Sequence, residues 1–237
     1  MLPRHAETFI SAIDQPIGDS AAFMTYLLSA EVKKVAGVAI SGAGADELFG
    51  GYHRHQAYNQ YLRHYRWLMK SSGLLRKTAK LLPVGFAHPL RKQFRLFSKL
   101  AGSLDKNPAT TFEKFVSREA FADVSTFQTN GQATECDSFE EHWLNHALNH
   151  DLHRYLPQDV LMLSDNMSMH RSLEMRMPYL DLALATYIQR LPAELRLRYG
   201  RKWILKRLLE KRGGKVFCQR SKEGFGLPLG SWLRSET

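Results

Sequence analysis

The run Ser41-Gly42-Ala43-Gly44-Ala45-Asp46-Glu47 places a hydroxyl, two glycines and two adjacent carboxylates within one short turn. Gly42 and Gly44 let backbone N–H groups approach an anion with no Cβ in the way. Asp46 and Glu47 would repel a bare phosphate across that gap. They fit if a hard cation such as Mg²⁺ lies between, because it takes oxygen ligands from carboxylate and phosphate together. The chemistry implied is phosphate binding by the backbone at Gly42 and Gly44, with Asp46 and Glu47 as ligands of the metal on that phosphate. The competing reading is a tight strand-to-helix turn in which Asp46 only caps a helix. No GxxxxGK[ST], GxGxxG or GxSxG pattern surrounds Ser41 to decide between them.

Three other stretches carry groups that could do chemistry. His142, His146 and His150 stand four apart, which on a helix is metal-ligand spacing. With no HExxH and no Cys beside them, a solvated histidine stripe is the better reading. The segment from Leu156 to Asp181 brings Asp159, Asp165 and Glu174 together with Arg171 and Arg176; Met167, Met169, Met175 and Met177 read as core filler. Near the end, Lys222 sits before Gly224-Phe225-Gly226, where glycines permit a lid-like loop and the ammonium could close on a phosphate.

The elements needed to hold these groups are mostly helices. Asp19 to Lys34 reads as a helix with a capping Asp or Ser, and Val35 to Ile40 as a strand that delivers Ser41 at its tip. Beyond Tyr52 the periodicity predicts helices over roughly 52–71, 74–82, 89–101, 109–121, 138–153, 158–171, 180–190, 201–212 and 229–235. Gly213-Gly214 is a clear stop. One strand cannot make a sheet, and no partner for it stands out.

At 237 residues, 44% hydrophobic and 24% charged, the chain can bury a sizeable core and is read as one domain over 1–237. No run approaches the roughly 18 apolar residues that span a bilayer, so no membrane role is expected. Cys136 and Cys218 lack CxxC spacing, which together with the missing leader-type segment points to the cytoplasm. The net charge of +10 is concentrated: eleven Lys or Arg and no acid from Leu48 to Leu104, and eleven more from Arg196 to Lys222 against Glu210 alone. Such blocks with interleaved tyrosines could track nucleic acid. Yet Tyr58, Tyr61, Tyr65 and Leu68 recur at helical spacing, which reads first as a core face with Arg63, Arg66 and Lys70 solvated.

Taken in order, these pieces resemble the ATP-dependent synthetase domain of the glutamine-hydrolysing asparagine synthase family. The resemblance rests on Asp14-Gln15-Pro16 with Thr25-Tyr26-Leu27-Leu28-Ser29, on Ser41-Gly42-x-Gly44-x-Asp46-Glu47-Leu48-Phe49-Gly50-Gly51-Tyr52, and on Ser168-Met169-x-x-Ser172-Leu173-Glu174-x-Arg176-x-Pro178-x-Leu180-Asp181. Lys202-Trp203-x-Leu205 and Lys222-x-Gly224-Phe225-x-x-Pro228 complete it. It implies an α/β fold of the ATP-pyrophosphatase type, here predominantly α-helical with a remnant of parallel sheet. It also implies ATP and Mg²⁺ as cofactors, and aspartate or another carboxylate as the group adenylated and then amidated. Ser41 and Gly42 match adenylate-holding positions, Asp46 a magnesium ligand, Lys222 a charge-neutralising catalytic lysine, and Glu174 an acid near the reacting centre.

Departures from the pattern are equally specific. A Ser-Gly-Gly-x-Asp-Ser loop is absent from these residues, as is a glutaminase domain with a Cys nucleophile at its start. The resemblance therefore implies a truncated, inactive synthetase domain. Ammonia would come from a separate glutaminase domain, and a complementing chain carrying the phosphate loop is a candidate partner. Ala43 stands where the family typically has Glu, which favours a carboxylate other than aspartate. Leu163-Ser164-Asp165-Asn166 stands where Lys-x-Asp-Arg is expected.

Overall fold

The computed structural model describes residues 7–15, 17–81, 91–116 and 138–218. The loop carrying Lys222 and the helix expected over 229–235 lie outside the described residues. Contacts divide the chain into two compact units. One takes the described parts of Met1–Leu48, His150–Arg190 and Ile204–Thr237; the other takes those of Phe49–Asn149 and Leu191–Trp203.

The first unit contains the sheet. Helix α1 (Ala21–Lys33) begins where the Asp19 carboxylate accepts a hydrogen bond from the Ala21 N–H at 2.9 Å, satisfying one of the donors that a first turn leaves open. Strand β1 (Val38–Ile40) follows, then a single helical turn α2 (Ala45–Leu48). Strand β2 (Glu174–Arg176) lies parallel to β1 in the register Val38 to Glu174, Ala39 to Met175 and Ile40 to Arg176. This is the partner that sequence reading did not find. It is only three residues long, beneath the length at which period-two alternation can be recognised.

What creates β2 is the way the helix ahead of it stops. Helix α8 (Met162–Met169) ends with Ser172 in the left-handed region at φ 53°, and the Leu173 N–H reaches back to the Ser168 carbonyl at 3.0 Å. That closure turns the chain sharply into an extended path. Ahead of α8 runs a π-helical stretch, Asp151–Leu161, which contains Pro157. Proline has no N–H to donate, so the regular i to i−4 ladder cannot pass through it. Helices α1 and α8 pack through Ala22, Tyr26, Leu163 and Met167, all buried. The Arg171 guanidinium hydrogen-bonds the Tyr26 hydroxyl and lies 4.2 Å from that ring. Met167 is core filler as expected, whereas Met169 is exposed.

The second unit is helical: α3 (His53–Arg63), α4 (Tyr65–Leu81), α5 (Arg91–Ser103), α6 (Pro108–Val116), α7 (Phe139–His150) and the short α10 (Ala193–Leu197). The chain breaks at His64 rather than near residue 72, and α4 runs on through Gly73. The core is built on the expected stripe: Tyr58, Tyr61 and Leu68 are buried with Leu62, Leu104, Phe112, Leu144 and Leu148, while Arg63, Arg66 and Lys70 are exposed. Helix α6 starts as an Asn-Pro pair should, with the Asn107 side chain accepting from the Ala109 N–H at 2.9 Å and Pro108 filling a position that needs no donor. Of the three histidines, His146 is buried against Trp143, with ring centroids 5.6 Å apart, so the solvated stripe is not what forms. No group of His, Cys, Asp and Glu among the described residues is arranged to hold a metal ion.

Burial of the tyrosine core has a pH consequence. Tyr58 donates to the Pro108 carbonyl at 2.9 Å, and Tyr61 shares a 3.2 Å hydrogen bond with the Thr111 hydroxyl. Burial pushes Tyr58 far above the ordinary tyrosine value of 10.0, and pushes Tyr61 up to about 12. A group whose folded pKa is raised contributes stability that is complete below its unfolded value and disappears as pH rises through the folded value. The second unit is therefore expected to lose stability from pH 10 upward, with ionisation of the Tyr58 and Tyr61 rings, read ring by ring by NMR, accompanying loss of helical circular dichroism. Ionisation of these two rings around pH 10 with no loss of helix would contradict this packing.

Candidate functional site

Parallel strands converge on ligands at their carboxyl ends. Ser41 occupies that position on β1, where its N–H donates to the Arg176 carbonyl at 2.8 Å. Its hydroxyl accepts from the Ala43 N–H at 3.2 Å, which folds the loop back on itself, and the Ala45 N–H closes onto the Gly42 carbonyl at 3.3 Å. Gly44 is buried at the base of this turn with φ 87°. A Cβ added there would stand 2.8 Å from Leu180 Cγ and closer still to one of its methyl carbons. Gly44→Ala is expected to destabilise by about 1–3 kcal/mol, since it combines left-handed strain with an overpacked contact. A urea midpoint unchanged by this substitution would show that the turn is not held as described.

The loop opens onto a cleft of about 530 Å³ within the first unit. Ser41, Gly42, Ala43 and Asp46 line one side. Thr25, Ser29 and Val32 of α1 line another, and Asp159, Val160 and Ser164 complete it. Three acidic residues, Asp19, Asp46 and Asp159, are thus among those lining one space, and among the described residues lining it there is no Lys or Arg. An anionic ligand could enter only with cations of its own or with a basic side chain from elsewhere. Carboxylates, hydroxyls and backbone groups are the oxygen-rich donor set that magnesium takes. The residue types suit that cation, but because no three acids among the described residues cluster to hold it, further oxygen ligands would have to come from a bound phosphate.

The site residues read from sequence divide clearly. Ser41, Gly42 and Asp46 come together on the cleft, with Asp46 half-buried. Gly44 shapes the turn from below. Glu47 is only 1% exposed and is absent from the cleft lining. Glu174 is exposed on β2 and accepts a hydrogen bond from Arg176 Nε at 2.8 Å; it too is absent from the lining. That hydrogen bond, and then the Glu174 charge, hold the Arg176 guanidinium above the usual arginine range. Lys222 lies outside the described residues. The helix after the loop is a single turn, so its dipole would add little for an anion at this point. Sequence reasoning did not single out Thr25 and Ser29 as lining groups. The signal was there, because 21, 25, 28, 29 and 32 recur on one face of a helix.

The asparagine synthase family model matches residues 2–237. The chain belongs to the asparagine synthase family. It is 31% identical over 238 residues to asparagine synthetase [glutamine-hydrolyzing] 1 of Bacillus subtilis, a match covering 94% of this chain and 36% of that protein. It is 29% identical over 245 residues to a provisionally named asparagine synthetase [glutamine-hydrolyzing] of Mycobacterium tuberculosis, covering 97% of this chain and 37% of that one. A similarly named Methanocaldococcus jannaschii protein is 38% identical over 92 residues, 35% of this chain and 17% of its own length. The chain thus spans about a third of the length of the first two relatives. No solved structure matches it. The helix-rich structure with its small parallel sheet agrees with an α/β member of the asparagine synthase family.

Proposed function

We propose that residues 1–237 form part of one synthetase domain that activates a carboxylate with ATP and transfers ammonia to it. The observation that carries this reading is the Ser41–Asp46 loop, which sits at the carboxyl end of a parallel strand and opens onto an acid-lined cleft. A carboxylate oxygen of the acceptor attacks the α-phosphorus of ATP, and pyrophosphate leaves. Ammonia then attacks the acyl carbon, and AMP leaves. Ser41 and the loop amides hold the nucleotide phosphates, while Asp46, with Asp159 beside the same cleft, holds Mg²⁺. Lys222 is assigned to neutralising charge on the phosphoryl group as it builds up. Glu47 and Glu174 are assigned supporting roles at the metal and near the acceptor.

Aspartate is the acceptor that the relatives' names suggest, and ammonia would come from glutamine hydrolysed by a glutaminase domain, in the cytoplasm where ATP is abundant. Ala43 favours a different carboxylate as the alternative. Because these 237 residues contain no Ser-Gly-Gly-x-Asp-Ser loop, the chain by itself is proposed to turn over little or not at all, and a second chain carrying that loop to complete it.

The test is formation of AMP and pyrophosphate from ATP, ammonium and aspartate, with and without a polypeptide bearing the missing loop. AMP is expected only with both present. AMP from the chain alone would overturn its dependence on a partner, and failure of the chain to bind ATP at all would overturn the chemistry.

A further inference from the structure

Helix α4 carries two faces with different jobs. Tyr65, Leu68, Met69 and Leu75 pack into the core of the second unit. On the opposite side, at spacings of three and four, stand Trp67, Lys70, Leu74, Lys77 and Leu81, every one of them exposed. Trp67 is 64% exposed, Leu74 67% and Leu81 83%. Folding of this unit gains nothing from an exposed tryptophan and two exposed leucines set about 10 Å apart along one line. Arg66 and Lys80 flank the stripe, and no acid occurs anywhere from Leu48 to Leu104. Helix α5, packed against α4, exposes Arg95, Leu96 and Lys99 as well.

We propose that this face of α4 lies on an anionic lipid surface, with Trp67, Leu74 and Leu81 sunk into the headgroup region and Lys70 and Lys77 reaching its phosphates. Charge complementarity selects the sign of the partner: a cluster of basic residues on an amphipathic helix is drawn to acidic lipid. The apolar residues select its class. A nucleic-acid backbone offers phosphates and ring faces but gives two aliphatic leucines nothing to bury against. A bilayer interface accepts them, favours tryptophan at its polar boundary, and lets lysine stems lie along apolar surface with their ammoniums in water. No helix among the described residues is long and apolar enough to cross a membrane, so the attachment is peripheral; the sequence expectation of no membrane role rested on the lack of a spanning run and does not bear on a surface-bound helix.

The experiment is co-sedimentation of the full chain with vesicles of phosphatidylcholine alone and with vesicles containing an equal part of phosphatidylglycerol, at low and at high salt. Binding to the anionic vesicles is expected to be at least about tenfold stronger and to weaken with salt. Lys70→Glu with Lys77→Glu, and separately Leu74→Ser with Leu81→Ser, should each weaken it by about tenfold or more. All four side chains are exposed, so unchanged thermal melts are expected to confirm folding. Equal binding to both vesicle types, no binding, or variants that bind like the parent would overturn the proposal. So would a single-stranded RNA oligonucleotide that binds the leucine variant as tightly as the parent while neither binds vesicles, which would make the face a nucleic-acid surface instead.

Discussion

With Glu141 replaced by alanine, the helical unit is expected to lose about 3–5 kcal/mol of stability, the largest structural effect of any single substitution considered. The Glu141 carboxylate accepts from the Ala193 N–H, from the Glu194 N–H at 2.9 Å and from Asn145 Nδ2 at 2.7 Å. It therefore serves as the cap of α10, whose own N-cap position is Pro192 and offers no side-chain acceptor. Asn145 in turn accepts from Arg196 Nη2 at 2.7 Å, and Arg196 is only 1% exposed. Burial pushes the Arg196 guanidinium down to about 10, and the Glu141 charge opposes that shift. Removing the carboxylate strands two helix-end N–H groups and takes from the buried Arg196 cation the Glu141 charge that favours it. Glu141→Gln keeps an acceptor oxygen and should cost less. Urea unfolding, with hydrogen exchange read at the Ala193 and Glu194 amides, measures both. A loss under about 1 kcal/mol for Glu141→Ala would show that the network carries little of the stability.

Asp46→Asn is the substitution with the largest expected functional effect. On the function proposed above, nucleotide phosphates entering a cleft lined by Asp19, Asp46 and Asp159, with no Lys or Arg among its described lining residues, would depend on a metal ion, and Asp46 is the acid carried by the Ser41–Asp46 turn. ATP binding in the presence of Mg²⁺ should weaken by about a hundredfold, equivalent to about 2.7 kcal/mol. Binding in EDTA should not weaken and should rise somewhat, because the lost interaction runs through the metal and the substitution removes a charge that repels bare phosphate. Isothermal titration of ATP with and without Mg²⁺ separates these cases. If Asp46→Asn keeps the full magnesium dependence, the metal is held elsewhere, and Asp159 becomes the residue to replace.

The sequence by itself determined the local chemistry and the helical framework. Glycines at 42 and 44 beside Asp46 announced a turn that brings a hydroxyl, amides and a carboxylate together, because backbone freedom and hydrogen-bonding capacity are properties of residue type. The stripe of Tyr58, Tyr61 and Leu68 announced the core face of the second unit for the same kind of reason, since helical spacing alone puts those side chains on one side. The ordered motifs also named the family. Only the tertiary structure decided which acids share a space. Asp159 reaches the cleft from a π-helical stretch, and Asp19 from a helix cap, while Glu47, next in sequence to Asp46, is turned into the interior. Adjacent residues on a helical turn point about 100° apart, so their fates depend on what packs above them. Strand β2 likewise arises from the closure after α8 and from pairing with β1, one local and one long-range condition, both lying outside its own three residues.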